Sequence, residues 1–127
     1  MNGIKYFDHA ATTRLDDEVL NEMLPYLTNN YGNASSIYSL GRIAKEGILL
    51  AKMRVAASIN AKTNEIYFTS GGSESDNLAI KGIATANSRY GNHIITSQIE
   101  HPAVLNSCKS LENMGFRVTY LPVDNLR

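Results

Sequence analysis

The sequence predicts an α/β fold, a three-layer, mostly parallel sheet flanked by helices. Three observations point there. The hydrophobic period changes from helical to strand-like near residue 65. From that point the segments read strand, helix, strand, helix, strand, which needs two consecutive right-handed crossovers and therefore parallel strands. Finally, 127 residues with 43% apolar and 19% charged side chains suit one ordinary globular domain with a buried core.

The elements follow in order. Ile4 to Asp8 reads as a short extended piece and Ala10-Ala11-Thr12-Thr13 as a small-residue loop. Val19, Leu20, Met23, Leu24 and Leu27 recur at helical spacing behind Asp16-Asp17-Glu18, an acidic turn suited to the positive end of a helix dipole. Pro25 should kink or shorten the end of that helix. Asn29 to Ser36 is a loop rich in Asn, Gly and Ser, and Ile43, Ala44, Ile48, Ala51, Val55 and Ile59 trace a longer amphipathic helix. After a turn at Asn60 to Asn64, Glu65 to Thr69 reads as a strand. Leu78, Ile80, Ile83 and Ala84 mark a helix ending around Gly91, His93 to Ser97 a strand, and Pro102 to Met114 a helix with Pro at its first turn and Gly115 past its end. Phe116 to Val123 closes the series as a strand.

A parallel sheet needs both faces covered. Either the first two helices close the far face of a small three-layer domain, or the chain is the front part of a larger protein; the pattern supports both.

Composition excludes several classes of function. Twelve Lys and Arg balance twelve Asp and Glu, so no overall basic field exists to hold nucleic acid or anionic lipid. Apolar runs such as Ile48-Leu49-Leu50-Ala51 fall far short of the roughly 18 residues of a membrane span. The first residues do not pattern as a secretory signal, and the single Cys108 cannot close an internal disulfide, so a reducing, cytoplasmic setting is expected. Three scattered His and one Cys lack the paired spacings of a zinc or iron site, so no metal is expected.

Two loops could carry chemistry. Ser70-Gly71-Gly72-Ser73-Glu74-Ser75 joins a strand to a helix, where backbone N–H groups converge and phosphate can bind. It has neither the P-loop order nor G-x-G-x-x-G, which argues against ATP and NAD. The competing reading is a capped helix with Ser73 and Asp76 as its capping box. His101, in Gln98-Ile99-Glu100-His101-Pro102, leaves the same edge of the neighbouring strand. It could stack on a ring or move protons, or it could merely cap the helix that starts at Pro102. His93 and Cys108 read as structural and core residues.

Asp8-His9-Ala10-Ala11-Thr12-Thr13, Gly32-Asn33-Ala34-Ser35-Ser36, Phe68 to Asn77 and Glu100-His101-Pro102-Ala103-Val104 together resemble the ordered N-terminal motifs of cysteine desulfurases, in the form of the nitrogen-fixation and iron–sulfur-assembly branch. The resemblance implies the N-terminal part of a fold-type I pyridoxal 5′-phosphate transferase: an N-terminal segment plus the first part of the cofactor-binding large domain within 1–127. It implies conversion of L-cysteine to L-alanine, with the sulfur passing to an enzyme thiol as a persulfide for an iron–sulfur scaffold or other acceptor protein, in a homodimer when full length. By position, Gly72 and Ser73 hold the cofactor phosphate, His101 stacks on its ring and assists proton transfer, and Ala11, Thr12 and Asn33 lie on the substrate side. Ala34 and Tyr38 depart from the family's usual Pro and His, so a less rigid first loop is expected. None of Lys5, Lys45, Lys52, Lys62, Lys81 or Lys109 stands in the Ser-x-His-Lys setting of the cofactor lysine. The 127 residues alone are therefore expected to be inactive. Two rivals are a flavodoxin-like phosphate-cofactor module and a non-catalytic partner of a full-length desulfurase.

Overall fold

The structure, a computed structural model, describes residues 5–124. Ile4, the first residue of the expected extended piece, and the end of the chain from 125 to 127 lie outside the described residues. Although the length suits one domain, the chain packs as two compact units that divide between Tyr67 and Phe68.

The first unit is helical. Helix α1 runs Asp17–Thr28, and the Asp16 carboxylate caps it by accepting from the Glu18 N–H at 2.8 Å. Pro25 stands inside α1, and its carbonyl takes the N–H groups of Asn29 and Asn30 as the helix ends three residues later. Helix α2 runs Ser39–Ser58. It stops where Asn60 adopts φ +55, a left-handed conformation that Asn tolerates, and the Ala61 N–H returns to the Ala56 carbonyl at 2.9 Å. Gly47 lies so close under Tyr26 that a Cβ there would sit 2.6 Å from the ring, which brings α1 against α2. Ala56 and Ile66 are buried in this unit, while the apolar stripe of α1 is largely exposed.

Thr63–Glu65 is a single 3-10 turn, closed by the Glu65 carboxylate accepting from the Lys62 N–H at 2.7 Å. This corrects the strand expected at Glu65 to Thr69. Ile66 is extended at φ −95 and ψ 127, but no other strand among the described residues bonds to the segment. An extended backbone becomes a sheet strand only when a neighbour takes its N–H and C=O groups.

The second unit has the α/β pattern, with helix α3 (Gly72–Ala86), strand β1 (His93–Ser97), helix α4 (Pro102–Glu112) and strand β2 (Arg117–Leu121). The strands pair in parallel, with His93 opposite Arg117 and Ser97 opposite Leu121. α3 ends before Gly91, where the Ser88 and Tyr90 N–H groups tighten to three-residue bonds with the Thr85 and Asn87 carbonyls and the side chains of Thr85, Asn87 and Ser88 add bonds to carbonyls of the last turns. α4 starts at Pro102 as expected. Beyond its end Gly115, at φ +91, turns the chain so that the Phe116 N–H reaches the Leu111 carbonyl at 3.0 Å. Pro122 ends β2, since it has no N–H for the ladder.

α4 packs on β2, and α3 packs on α4. Ala103, Ser107, Cys108 and Leu111 form the buried face of α4, where the Ser107 hydroxyl donates to the Ala103 carbonyl at 2.7 Å. Ile94 and Thr96 pair with Val118 and Tyr120 on the helix side, and the Tyr120 hydroxyl donates to Glu112 at 3.2 Å. The opposite face is open, with Ile95 61% and Leu121 49% exposed. Each helix reverses into the strand that follows it, so α3 and α4 both begin at the edge where the parallel strands end. That edge carries both loops singled out in the sequence.

Candidate functional site

The first loop opens α3. Gly71 is its N-cap, in an extended conformation and with no side-chain cap. The first helical bond runs from the Ser75 N–H to the Gly71 carbonyl at 3.1 Å, which leaves the N–H groups of Gly72, Ser73 and Glu74 without an acceptor among the described residues. A Cβ built on Gly71 or Gly72 would meet no atom within 4 Å. The chain's own packing therefore does not demand glycine there, and the space beside the loop is open to a ligand's close approach. The expected capping box of Ser73 and Asp76 does not form, because Ser73 already lies inside the first turn. Its carbonyl accepts from Asn77 Nδ2 at 2.8 Å, and its hydroxyl has no partner among the described residues. Free amides, an unused hydroxyl and open space together fit a phosphate group.

Side chains on either side hold this loop, and sequence reasoning missed them. Glu74 Oε2 accepts from the Ser70 N–H at 2.6 Å and from the Ser70 hydroxyl at 2.7 Å, and the hydroxyls of Thr69 and Ser75 share a 2.6 Å bond. The Ser70 N–H, with the Ser70 hydroxyl adding to it, holds the Glu74 carboxyl below its ordinary value. The signal was available as an acid in the first helical turn, but its partner lies four residues back rather than at the three-residue capping-box spacing.

His101 caps α4. Its Nδ1 accepts from the Ala103 N–H at 3.1 Å, and Nε2 has no partner among the described residues. The capping reading is thus realised, and it uses only one of the two ring nitrogens.

Ala11, Thr12 and Asn33 lie in the first unit. The Ala11 and Thr12 N–H groups both point to the Asp8 carbonyl, at 3.1 and 3.5 Å, forming an exposed turn. Asn33 Oδ1 accepts from the Ser35 N–H at 2.9 Å, and its carbonyl accepts from the Ser36 N–H at 2.9 Å. Gly41 backs this turn so closely that a Cβ would stand 2.4 Å from the Ser36 carbonyl oxygen. Gly72, Ser73 and His101 share the second unit, at one strand edge.

The remaining candidates are structural. His93 bridges the strands, with Nε2 2.7 Å from the Thr119 hydroxyl and Nδ1 2.9 Å from Arg117. Cys108 is buried, and burial, followed by the charges of Glu112 and Glu100, pushes its thiol above the ordinary range, toward an inert protonated form. An apolar groove of about 430 Å³ lined by Ile80, Ile83, Ile94 and Phe116 lies toward the start of β1, away from the loops. Among the described residues no group of His, Cys, Asp or Glu converges to hold a metal ion, and no helix is long and apolar enough to cross a membrane.

Fold and loops define the class: an α/β protein whose two candidate loops stand at the carboxyl edge of a parallel sheet. The chain belongs to the aminotransferase class-V family, which matches it over residues 5–127. It is 57% identical over 124 residues to a cysteine desulfurase IscS of Clostridium botulinum, a match covering 98% of this chain and 31% of that protein. Against the cysteine desulfurase IscS of Methanosarcina thermophila it is 58% identical over 123 residues, covering 97% of this chain and 30% of that one. Among solved structures it is similar to a NifS-like protein, with TM-score 0.85 and 42% identity over 94% of this chain and 33% of the other. It is also similar to SspA in complex with cysteine, with TM-score 0.83 and 44% identity over 93% of this chain and 34% of the other. The chain thus spans about a third of the length of the relatives it matches, and it carries their α/β fold, of fold-type I.

Proposed function

We propose that this chain is the N-terminal part of a cysteine desulfurase and forms one wall of its pyridoxal 5′-phosphate site, with the first unit as the N-terminal segment and the second as the start of the cofactor-binding domain. The observation that carries this reading is the entrance of α3. Among the described residues, three amides without an acceptor, a Ser73 hydroxyl without a partner and two glycines facing open space are what a phosphate requires. The names of relatives at 57% and 58% identity supply the reaction.

In that reaction the Cβ–Sγ bond of L-cysteine breaks, the sulfur forms an S–S bond with an enzyme thiol, and L-alanine leaves; the atoms balance without an outside oxidant. Pyridoxal phosphate supplies the electron sink for charge at the substrate's α-carbon. Gly72 and Ser73 hold its phosphate through backbone N–H groups and a hydroxyl. His101 lies against its ring, with Nδ1 fixed by the Ala103 N–H and Nε2–H available to hold or pass a proton. Ala11, Thr12 and Asn33 shape the substrate side. Cys108, buried and held protonated, is not the sulfur acceptor. The whole enzyme acts as a cytoplasmic homodimer that delivers sulfur to an iron–sulfur scaffold or other acceptor protein. The family match and the desulfurase relatives favour this reading over a flavodoxin-like module.

A chimera tests it. Residues 5–124 replace the matching third of the Clostridium botulinum relative, and alanine and sulfide are measured. An active chimera whose Ser73→Ala form holds pyridoxal phosphate roughly one to two decades more weakly is the expected result, given about 1.5–3 kcal/mol per hydrogen bond to a charged group. A folded chimera that binds no pyridoxal phosphate defeats the reading.

A further inference from the structure

Glu74 is placed against expectation. It is an acid in the first turn of α3, beside the amides that the proposed phosphate needs. A carboxylate there ordinarily competes with an anion for the positive end of the helix and repels it. Glu74 does not take those amides. Its Oε2 reaches back past the N-cap to Ser70, accepting from the N–H at 2.6 Å and the hydroxyl at 2.7 Å.

A second bond reinforces the first. Ser75 and Thr69 share a hydroxyl bond of 2.6 Å, and the Thr69 hydroxyl donates to the Gly71 carbonyl at 3.1 Å. The two straps, 70 to 74 and 69 to 75, straddle Gly71, Gly72 and Ser73. The glycines between them have no side chains, and a Cβ on either would touch nothing, so packing does not hold this backbone in place. Without the straps, glycine's freedom would spread the loop over many conformations.

We infer that Glu74 is a positioning residue: by strapping Ser70 to the first turn of α3, it fixes the Gly71 to Ser73 backbone in the shape that presents the Gly72 and Ser73 amides to the cofactor phosphate. The inference rests on the cofactor reading of this loop. It makes the sign of a mutation informative. If Glu74 were only a nearby negative charge, removing it would strengthen phosphate binding; as a strap, its removal weakens binding.

The probe is pyridoxamine phosphate, which has the cofactor's ring and phosphate but no aldehyde to react with surface lysines. It is titrated into the chimera, isotope-labelled at glycine and serine, while the backbone amide resonances of Gly72 and Ser73 are followed by NMR. Glu74→Ala should weaken binding about tenfold. Glu74→Gln, which keeps an oxygen acceptor for Ser70 and loses the charge, should stay within about twofold of the unsubstituted chimera. Ser70→Ala, which removes only the hydroxyl leg, should weaken binding about threefold, and it decides the matter if Glu74→Ala does not fold. Unchanged or tighter binding in Glu74→Ala, or in Ser70→Ala where that variant decides, overturns the positioning role alone. If the unsubstituted chimera folds and shows no response at either amide, the cofactor reading falls and the inference falls with it.

Discussion

His101 has two roles that one pair of substitutions separates. It caps α4 through Nδ1, and it is proposed to lie against the cofactor ring with its other side. His101→Ala removes the acceptor for the Ala103 N–H, and loss of such a cap costs about 1 kcal/mol. In a chain of this size that lowers Tm by about 4 °C. The same change removes an aromatic contact of about 0.5–1.5 kcal/mol, which weakens cofactor binding roughly two- to twelvefold. His101→Asn separates the effects, because Asn is among the best N-caps yet has no ring. Thermal unfolding of the chain by circular dichroism should therefore show Asn close to the unsubstituted protein and Ala below both. Visible-absorbance titration of the chimera with pyridoxal phosphate should show Ala and Asn equally weakened. If Asn is as unstable as Ala, the cap is not what His101 contributes to folding. If Asn binds the cofactor as His does, the ring contact is refuted.

Three further outcomes follow from the geometry. Leu111, fully buried on the inner face of α4, should cost about 2–5 kcal/mol when replaced by Ala, read from denaturant unfolding; a loss under about 1 kcal/mol would mean that α4 is not packed as described. Cys108 should resist a disulfide-exchange reagent in the folded chain and react promptly in denaturant, because burial both shields the thiol and keeps it protonated; fast labelling under native conditions would contradict its placement. The Glu74 carboxyl has a folded value below its ordinary 4.5, so its contribution is present above the ordinary value and is lost as pH falls through the lowered one. The Ser70 amide resonance should move with that titration and stay still in Glu74→Gln, and a Ser70 amide that ignores acid would show that the strap is not made in solution.

How far the sequence reaches depends on the range of the interaction concerned. The start and finish of α4 could be read directly, since Pro102 and Gly115 act within a turn of where they stand. The expected end of α3 near Gly91 was too late: the helix ends at Ala86, where bonding tightens to three-residue turns and Thr85, Asn87 and Ser88 add side-chain bonds to helix carbonyls. Their polar side chains were visible, but which carbonyls they would take was not. At the candidate site, the loop Ser70 to Ser75 and His101 were both singled out from the strand-to-helix pattern, and the structure brings them to one edge of the second unit. The competing reading put Ser73 in a capping box, whereas it lies inside the first turn, and Glu74, unremarked in the sequence, bonds back across the loop to Ser70.

By itself the sequence determined the helical and extended periods, the parallel alternation of the second half, the absence of an overall charge field, and the four ordered motifs that resemble the desulfurases. All of these are encoded by neighbours within a few residues, or by identity at a position. Tertiary structure alone decided the rest. The Glu65 to Thr69 segment, strand-like in composition, has no ladder among the described residues, because pairing depends on a partner that local propensity does not specify. The exposure of Ile95 and Leu121 on one face of the sheet, and the bridge from His93 to Thr119 and Arg117 on the neighbouring strand, likewise depend on where groups far apart in the chain meet in space. Residue type says what a group can bond to, and only packing decides which of its possible partners comes within reach.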